Sequence, residues 1–244
     1  MQKKLSGATR FTAYAAILGA IFAYTTITLS MMVTGDDTSM ILSGAKVLSL
    51  PDEIRELYRW SMLTDIFGFY LPSLVVGGYL WHVFRNEAGA LGSIAVLAIG
   101  FYATVGIIGA ATQQAVVTPL AQLYGQGDAS IKAAAEVTWT TIAYAVQYGL
   151  WWSEGLVVLF WGLVVGGQLK RAGWGWFSLL LLKIVGISFT LFLVFGFFKS
   201  LDELMKIMEM SFLVLYPLWL LIFGVRLLRG QGGVSIQDGR VAAT

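Results

Sequence analysis

Long apolar runs constrain the fold of this chain more than any other feature. Of its 244 residues, 57% are hydrophobic and 12% are charged, whereas soluble domains contain about 45–50% apolar and about 25% charged residues. The apolar residues collect in runs of about 18 or more, the length that crosses a bilayer as a helix. Lipid offers the backbone no hydrogen-bond partners, and the alternating pattern of a membrane barrel is absent. The runs therefore predict an all-α polytopic membrane protein.

The apolar runs predict about six transmembrane helices. Their approximate limits are residues 11–33, a second span that ends at residue 84, and residues 91–120, 139–169, 174–198 and 207–228. The first run is too long for the apolar core of a signal peptide, so we expect it to be retained. No internal repeat is evident. We predict one six-helix transmembrane domain over residues 1–230 and a flexible cytoplasmic tail over residues 231–244.

Basic residues favour one side of the predicted bundle. With six spans, nine of them fall on the side of the two termini: Lys3, Lys4, Arg10, Arg85, Lys170, Arg171, Arg226, Arg229 and Arg240. Six fall on the opposite side: Lys46, Arg55, Arg59, Lys132, Lys199 and Lys206. Because positive charge collects in cytoplasmic loops, we predict that both termini lie in the cytoplasm.

Two predicted helices are longer than a bilayer requires. A helix that starts at Pro51 and Asp52 and continues to Phe84 has about 34 residues and a length of about 51 Å, against about 30 Å of hydrocarbon. The fourth helix has room to begin near Ile131. Continuous helices would project on the side opposite the termini and form a small outer cap with residues 34–50. Breaks at the membrane interface would leave no such cap.

The cysteine and histidine content limits the kinds of catalytic and metal site that this chain can form. The chain has no cysteine and one histidine, His82. This excludes disulfides, thiolate nucleophiles, zinc–thiolate sites and, within this chain, a bis-histidine haem. The net charge of +2 gives no sign of nucleic-acid binding. The sequence identifies no metal site, no catalytic constellation and no cofactor, and His82 is interpreted as an anchor at the membrane interface.

Ionisable residues inside the predicted spans give the strongest functional indication, because such residues normally face the bundle interior or a water-filled cavity. Asp65 lies in the second span, Glu154 in the fourth and Lys183 in the fifth. Helical spacing adds polar and aromatic neighbours to the two acids. The candidate ligand-binding pocket, in the outer half of the membrane, consists of Asp65, Gln113, Gln114, Tyr144, Gln147, Trp151 and Glu154.

The same polar groups have a structural interpretation. Buried polar side chains join membrane helices at roughly 0.6–2 kcal/mol per hydrogen bond, and Asp65 near the interface would reach water. Lys183 either pairs with Glu154 or extends towards the cytoplasmic interface, as lysines in membrane helices do. Pro72 frees a backbone carbonyl one turn earlier and predicts a kink in the second span. Small residues four apart predict close helix contacts at Gly106 with Ala110 and at Gly162 with Gly166.

Short motifs in the second and fourth spans carry a family resemblance. They are YRWSMLTD at residues 58–65, WSEG at 152–155, FWGL at 160–163 and KRAG at 170–173. With them the chain resembles, over residues 11–194, a family of bacterial multi-pass membrane proteins known only as a domain of unknown function. The resemblance implies a helical bundle in the bacterial cytoplasmic (inner) membrane, with Asp65 and Glu154 at the two acidic positions of the family. It implies no activity.

Three classes of function remain open on this sequence. The absence of a catalytic constellation favours an accessory or structural subunit of a larger membrane complex. The intramembrane acids and the kinked second span favour a small-molecule or proton-coupled transporter, or a ligand-binding protein, that uses the pocket around Asp65 and Glu154. A lipid-modifying membrane enzyme would use the same two carboxyl groups as acid and base. The expected partners are the lipid bilayer and other membrane subunits or further copies of the chain, not nucleic acid.

Overall fold

The computed structural model describes residues 5–35, 37–230, 235–237 and 240–242, and its architecture is helical. The α-helices are α1 (Gly7–Thr34), α2 (Gly44–Leu48), α3 (Asp52–Asp65), α4 (Leu71–Gln126), α5 (Ala129–Ala145), α6 (Trp151–Arg171), α7 (Trp176–Phe195) and α8 (Asp202–Leu228). Short 3₁₀ helices cover Thr38–Leu42 and Lys199–Leu201. In the predicted tail, strands β1 (Ser235–Gln237) and β2 (Arg240–Ala242) pair antiparallel. Lys3 and Lys4, counted for orientation, lie outside the described residues.

Two π segments interrupt the long helices without breaking them. The first, Ile66–Tyr70, joins α3 to α4, and the second, Val146–Leu150, joins α5 to α6. In a π helix each N–H bonds to the carbonyl five residues earlier, so the segment accommodates one residue more than an α-helix of the same length. Pro72 lies two residues after the first π segment, so the kink expected at this proline takes the form of a π segment.

Gly89 turns one helical stretch into two spans. Five helical stretches are long and apolar enough to cross a membrane, and one of them, Asp52–Gln126, has 75 residues, about 112 Å if it were straight. Gly89 has φ 54° and ψ −141°, which no α-helix contains. The chain folds back there, and Gly77 lies against Ile99 on the returning arm. The described chain thus has six segments that are long and apolar enough to cross a membrane, which confirms the predicted six spans, and the start of α1 and the end of α8 lie on one side of the bundle.

The six spans form a closed ring. Span 1 is α1. Span 2 is α3 with the first arm of α4, which ends at Gly89, and span 3 is the second arm of α4, which follows Gly89. Span 4 is α5 with α6, span 5 is α7 and span 6 is α8. Each span packs against its neighbours in sequence, and α8 packs against α1. We call the end of the bundle that carries α2 the cap end, and the end that carries Gly89, the start of α1 and the end of α8 the terminal end.

Glycines allow the helix backbones to approach closely. Gly68 lies against the backbone of Ala23, and a Cβ at Gly155 would be 2.7 Å from the carbonyl oxygen of Phe189. The predicted contact at Gly162 is present, since a Cβ there would be 3.3 Å from the carbonyl oxygen of Leu182. Gly166 has no atom within 4 Å of a built Cβ, so it lies outside this contact.

The predicted outer cap is confirmed, and the long helices are continuous. Asp52 and Glu53 lie in the first turn of α3, and the Asp128 side chain accepts hydrogen bonds from two backbone N–H groups at the start of α5. Two hydrogen bonds fasten the cap to α5. The indole nitrogen of Trp139 donates to the carbonyl oxygen of Ile41 at 2.8 Å, and the Gly44 N–H donates to the Thr140 hydroxyl at 3.2 Å.

The third span also projects into the cap, which the sequence did not predict. The second arm of α4 continues past the expected end near residue 120 to Gln126, with Pro119 inside the helix. A salt bridge holds the segment before α2 in place. In it the Lys46 ammonium group donates a hydrogen bond to the Asp37 carboxylate at 2.7 Å. This hydrogen bond holds the pKa of Asp37 below its usual range.

We expect Gly89→Ala to destabilise the hairpin between the second and third spans. A side chain at positive φ costs about 1–3 kcal/mol, so the apparent melting temperature in detergent should fall. Gly78→Ala is the matched control, since Gly78 is helical and no atom lies within 4 Å of its built Cβ. Equal melting temperatures for the two variants would contradict the positive-φ turn.

We expect Trp139→Phe to loosen the cap. The change removes the hydrogen bond to Ile41, a loss of about 0.5–1.5 kcal/mol, while it keeps an aromatic ring in place. Hydrogen–deuterium exchange over residues 38–48 should speed up. Trp60→Phe, at a position that is 55% exposed, should leave that exchange unchanged, and a similar effect of both variants would contradict this role of Trp139.

Candidate functional site

The two intramembrane acids converge inside the bundle. Asp65 ends α3 and Glu154 lies in the first turn of α6, and their side chains are 8% and 1% exposed. Each carboxyl group lies within reach of the Tyr70 hydroxyl, which stands between them. Glu154 is about 25 Å from the end of α6 at Arg171. The pair therefore lies in the half of the bundle nearer the cap.

The first π segment explains why Tyr70 joins the acids. Tyr70 is five residues after Asp65, a spacing that puts two side chains on different faces of an α-helix. The hydrogen bonds of a π helix link residues five apart and bring such residues onto one face. The segment that separates Asp65 from Tyr70 in sequence is this π segment. The local backbone, rather than ordinary helical spacing, thus assembles the acid–tyrosine group.

Among the described residues, no basic side chain compensates the two carboxyl groups. The ion pairs among the described residues involve neither Asp65 nor Glu154. Oε1 of Glu154 is fully buried and has no hydrogen-bond partner within the described part of the chain. An unpaired buried acceptor costs about 1–3 kcal/mol, and more if it carries charge. The site therefore has an unused hydrogen-bond acceptor at a buried atom.

Two glycines on the second arm of α4 leave room for aromatic rings of the site. The Tyr70 ring lies where a Cβ of Gly106 would be, and a Cβ at Gly109 would be 2.6 Å from the indole nitrogen of Trp151. That nitrogen is buried and has no partner among the described residues. Gly106 therefore allows the close approach predicted from its spacing, but it receives a tyrosine ring rather than another backbone.

Polar groups extend from the acids in both directions along the bundle. Towards the cap, the Tyr58 hydroxyl donates to Oε1 of Gln113, whose side chain is 0% exposed. Towards the terminal end, the rings of Tyr70 and Tyr102 are 5.0 Å apart, and those of Tyr102 and Tyr216 are 6.4 Å apart. These groups form what we call the buried polar column, which consists of Tyr58, Gln113, Asp65, Tyr70, Glu154, Tyr102, Tyr216 and Ser73. Its last link is a hydrogen bond between Tyr216 and Ser73.

Part of the predicted pocket lies outside this column. Asp65, Gln113, Trp151 and Glu154 come together, whereas Gln114 and Gln147 are half-buried. Tyr144 is 50% exposed and stacks on Tyr148, with ring centroids 5.5 Å apart. The expectation that Tyr144 shares a face with Glu154 is wrong, because the second π segment lies between them. The inserted residue turns α5, so that Ala143 and Val146 face inward instead.

The other two ionisable candidates face outward. Lys183 is exposed on α7, while Glu154 is buried, and the two form no ion pair. This agrees with a lysine that extends to the membrane interface. His82 is exposed near the terminal end of its helix, as expected for an interfacial anchor.

Sequence reasoning missed the tyrosines of the buried polar column. Tyr58 lies within a motif that the sequence analysis singled out, but Tyr70, Tyr102 and Tyr216 look like ordinary membrane aromatics. Tyr102 precedes Gly106 by one helical turn, and this pairing of an aromatic with a small residue is the signal that would have found it. No local pattern connects Tyr216 with Ser73, because their contact joins the second and sixth spans.

We expect Gly106→Ala to displace Tyr70 and to destabilise the protein. Overpacking of a filled site costs about 1–3 kcal/mol, which should appear as a lower melting temperature in detergent. Gly100→Ala, on the same arm, has no atom within 4 Å of its built Cβ and should be tolerated. If both variants have the melting temperature of the wild type, the Tyr70 ring does not pack against Gly106.

Comparisons of the chain with protein-family models, with curated proteins and with solved structures give no match. The resemblance to a bacterial membrane family therefore stays a hypothesis, and the geometry of the acid pair is the basis for proposing a function.

Proposed function

We propose that the protein is a proton-coupled membrane transporter in which Asp65 and Glu154 form the proton-binding site. The observation that carries the proposal is the Glu154 carboxyl group. It is 1% exposed, it faces a second carboxyl group across Tyr70, and its Oε1 has no hydrogen-bond partner among the described residues.

The chemistry of two uncompensated acids supports proton binding. Two carboxylates in a low-dielectric site repel each other strongly, and removing each from water costs several kcal/mol. A proton shared by the pair removes one charge and supplies an O–H donor. Gain and loss of that proton change the net charge at the centre of six packed helices. Protonation is thereby linked to the packing of spans 2, 3 and 4, which is what coupling to transport requires.

The unpaired oxygen distinguishes this site from polar groups that only join helices. The Thr26 hydroxyl donates to the Thr64 hydroxyl at 2.9 Å between the first two spans, and both partners are satisfied. The Tyr216–Ser73 hydrogen bond has the same character. Glu154 instead keeps one buried oxygen free. A group retained only for helix association has no need of such an unpaired atom.

An accessory subunit of a larger membrane complex is the second candidate function. It is favoured by Gly78, Gly100 and Gly167, which have no atom within 4 Å of a built Cβ. In lipid, such positions allow a partner helix to approach closely. Gentle solubilisation followed by mass measurement tests it, since a subunit should carry other membrane proteins in fixed ratio. A lipid-modifying enzyme would use the same acids, and lipid turnover by the purified chain would identify it.

We further propose, on the family resemblance, that the protein resides in the bacterial cytoplasmic membrane, and the charge distribution supports its orientation there. The terminal end carries Arg10, Arg85, Lys170, Arg171, Arg226 and Arg229 among the described helices and the turns that join them. By the positive-inside rule this end faces the cytoplasm, and the cap faces the opposite compartment.

Infrared titration of the purified protein tests the proton-binding site. We expect the carbonyl band of a protonated, buried carboxylic acid, and its intensity should fall as the pH is raised and the proton leaves. Glu154→Gln and Asp65→Asn should each remove or shift this band. Glu87→Gln changes an exposed carboxyl group and is the matched control.

Transport is tested with the same variants in sealed vesicles. The wild type should carry protons when a membrane potential is imposed, and Glu154→Gln should reduce the flux to that of empty vesicles. A monodisperse Glu154→Gln protein that keeps both the infrared band and the flux would overturn the proposal.

A further inference from the structure

One face of α6 leads from the acid pair to the terminal end of the bundle. Glu154, Val158, Trp161, Val165 and Gln168 recur at steps of three and four residues, and each is at most 4% exposed. The distance from Glu154 to Gln168 along the helix is about 21 Å. Gln168 is two residues before Lys170, so the face ends at the basic end of the bundle.

Two small cavities lie along this face. The first is lined by Tyr102 and Tyr216, the two tyrosines of the buried polar column nearest the terminal end, and by six apolar side chains that include Val158 and Trp161. Each cavity has room for about one water molecule.

The second cavity continues towards the terminal end. It is lined by Trp161, Val165 and Gln168 of α6, and by Gly92 and Ala95 on the returning arm of α4, among others. Trp161 lines both cavities and therefore lies at the boundary between them. The packing of the bundle is thus interrupted twice between Glu154 and the terminal end.

The opposite direction is closely packed. Tyr58, Gln113 and Trp139, which lie between the acids and the cap, are each at most 2% exposed. The rings of Tyr58 and Trp139 meet edge to face at 5.8 Å, and Trp139 is hydrogen-bonded to the cap. Water from the cap end would have to displace these groups to reach Glu154.

We propose that the Asp65–Glu154 pair exchanges its proton with water at the terminal end, along the Glu154–Gln168 face, and that Trp161 is the barrier between the two cavities. This inference rests on the proposed function and specifies the side with which the pair exchanges its proton in the conformation that the structure describes.

The transfer is a simple acid dissociation. The carboxyl O–H bond breaks, the proton passes to a water molecule that enters between the first cavity and Glu154, and a carboxylate and a hydronium ion remain; the reverse step restores the acid. The other titratable side chains that lie near the pair are the tyrosines Tyr58, Tyr70 and Tyr102, and Tyr216 lies beyond Tyr102. No lysine, arginine or histidine of the described chain forms an ion pair with either acid.

The test is a pH jump on one side of sealed vesicles that contain the full chain in a single orientation. A cleavable tag at the C-terminus reports which end faces outward. The infrared band of the protonated carboxyl group is followed after the jump. We expect the band to respond within the observation time when the pH changes at the terminal end, and to lag when it changes at the cap end.

Ala95→Val tests the route itself. Ala95 lines the second cavity, and two added methyl groups fill a space of about one water. The response should slow about tenfold, which corresponds to about 1.4 kcal/mol. Ala103→Val is the same change on the same arm at a residue that is 2% exposed and lines neither cavity, and it should respond at the wild-type rate. Gln168→Leu, which removes the amide from the cavity wall, should also slow the response.

The outcomes separate the route from the proposed function. A band that responds first to the cap side, or an Ala95→Val response as fast as that of Ala103→Val, would overturn the route and leave the proton site intact. A wild type without the band, or a Glu154→Gln variant that keeps it, would overturn the proton site and the route together.

Discussion

Close approach of helix backbones is the constraint on which the rest of this structure depends. In lipid there is little hydrophobic force between helices, so association relies on packing and on interhelical hydrogen bonds. Gly68 against Ala23 and Gly155 against Phe189 bring the spans together at the level of the main chain. Only in a bundle packed this tightly can two acids from different spans share one tyrosine and exclude basic residues at the same time.

The acid pair is unusual because the bundle leaves one of its carboxyl oxygens unsatisfied. The buried hydroxyl groups of Thr26 and Thr64 are hydrogen-bonded to each other. Glu154 Oε1 has no partner among the described residues, although Trp151 and Gln113 each present a buried N–H group without one in the same region. Unpaired donors and an unpaired acceptor within one cluster indicate a site whose hydrogen bonds are completed by a proton, a water molecule or a rearrangement, rather than by the resting fold.

The sequence was sufficient for the topology and for the two acids, but not for their surroundings. Apolar run length predicts spans directly, and the helix start at Pro51 predicts the projection into the cap. Tyr144 was assigned to the wrong face because α-helical spacing was carried through residues 146–150, where the backbone is a π helix. Tyr70 was missed for the same reason at residues 66–70. Contacts such as Tyr216 with Ser73 depend on the closure of the ring, which no local pattern records.

The two π segments have a consequence for how this chain can change in evolution. Each is equivalent to an α-helix that has accepted one extra residue. Loss of one residue from 66–70 would turn the helix on one side by about 100° relative to the other and would carry Asp65 away from Glu154. The span would still be long and apolar enough to insert. Descendants of this sequence should therefore accept substitutions around the acids more readily than a one-residue gain or loss in either segment.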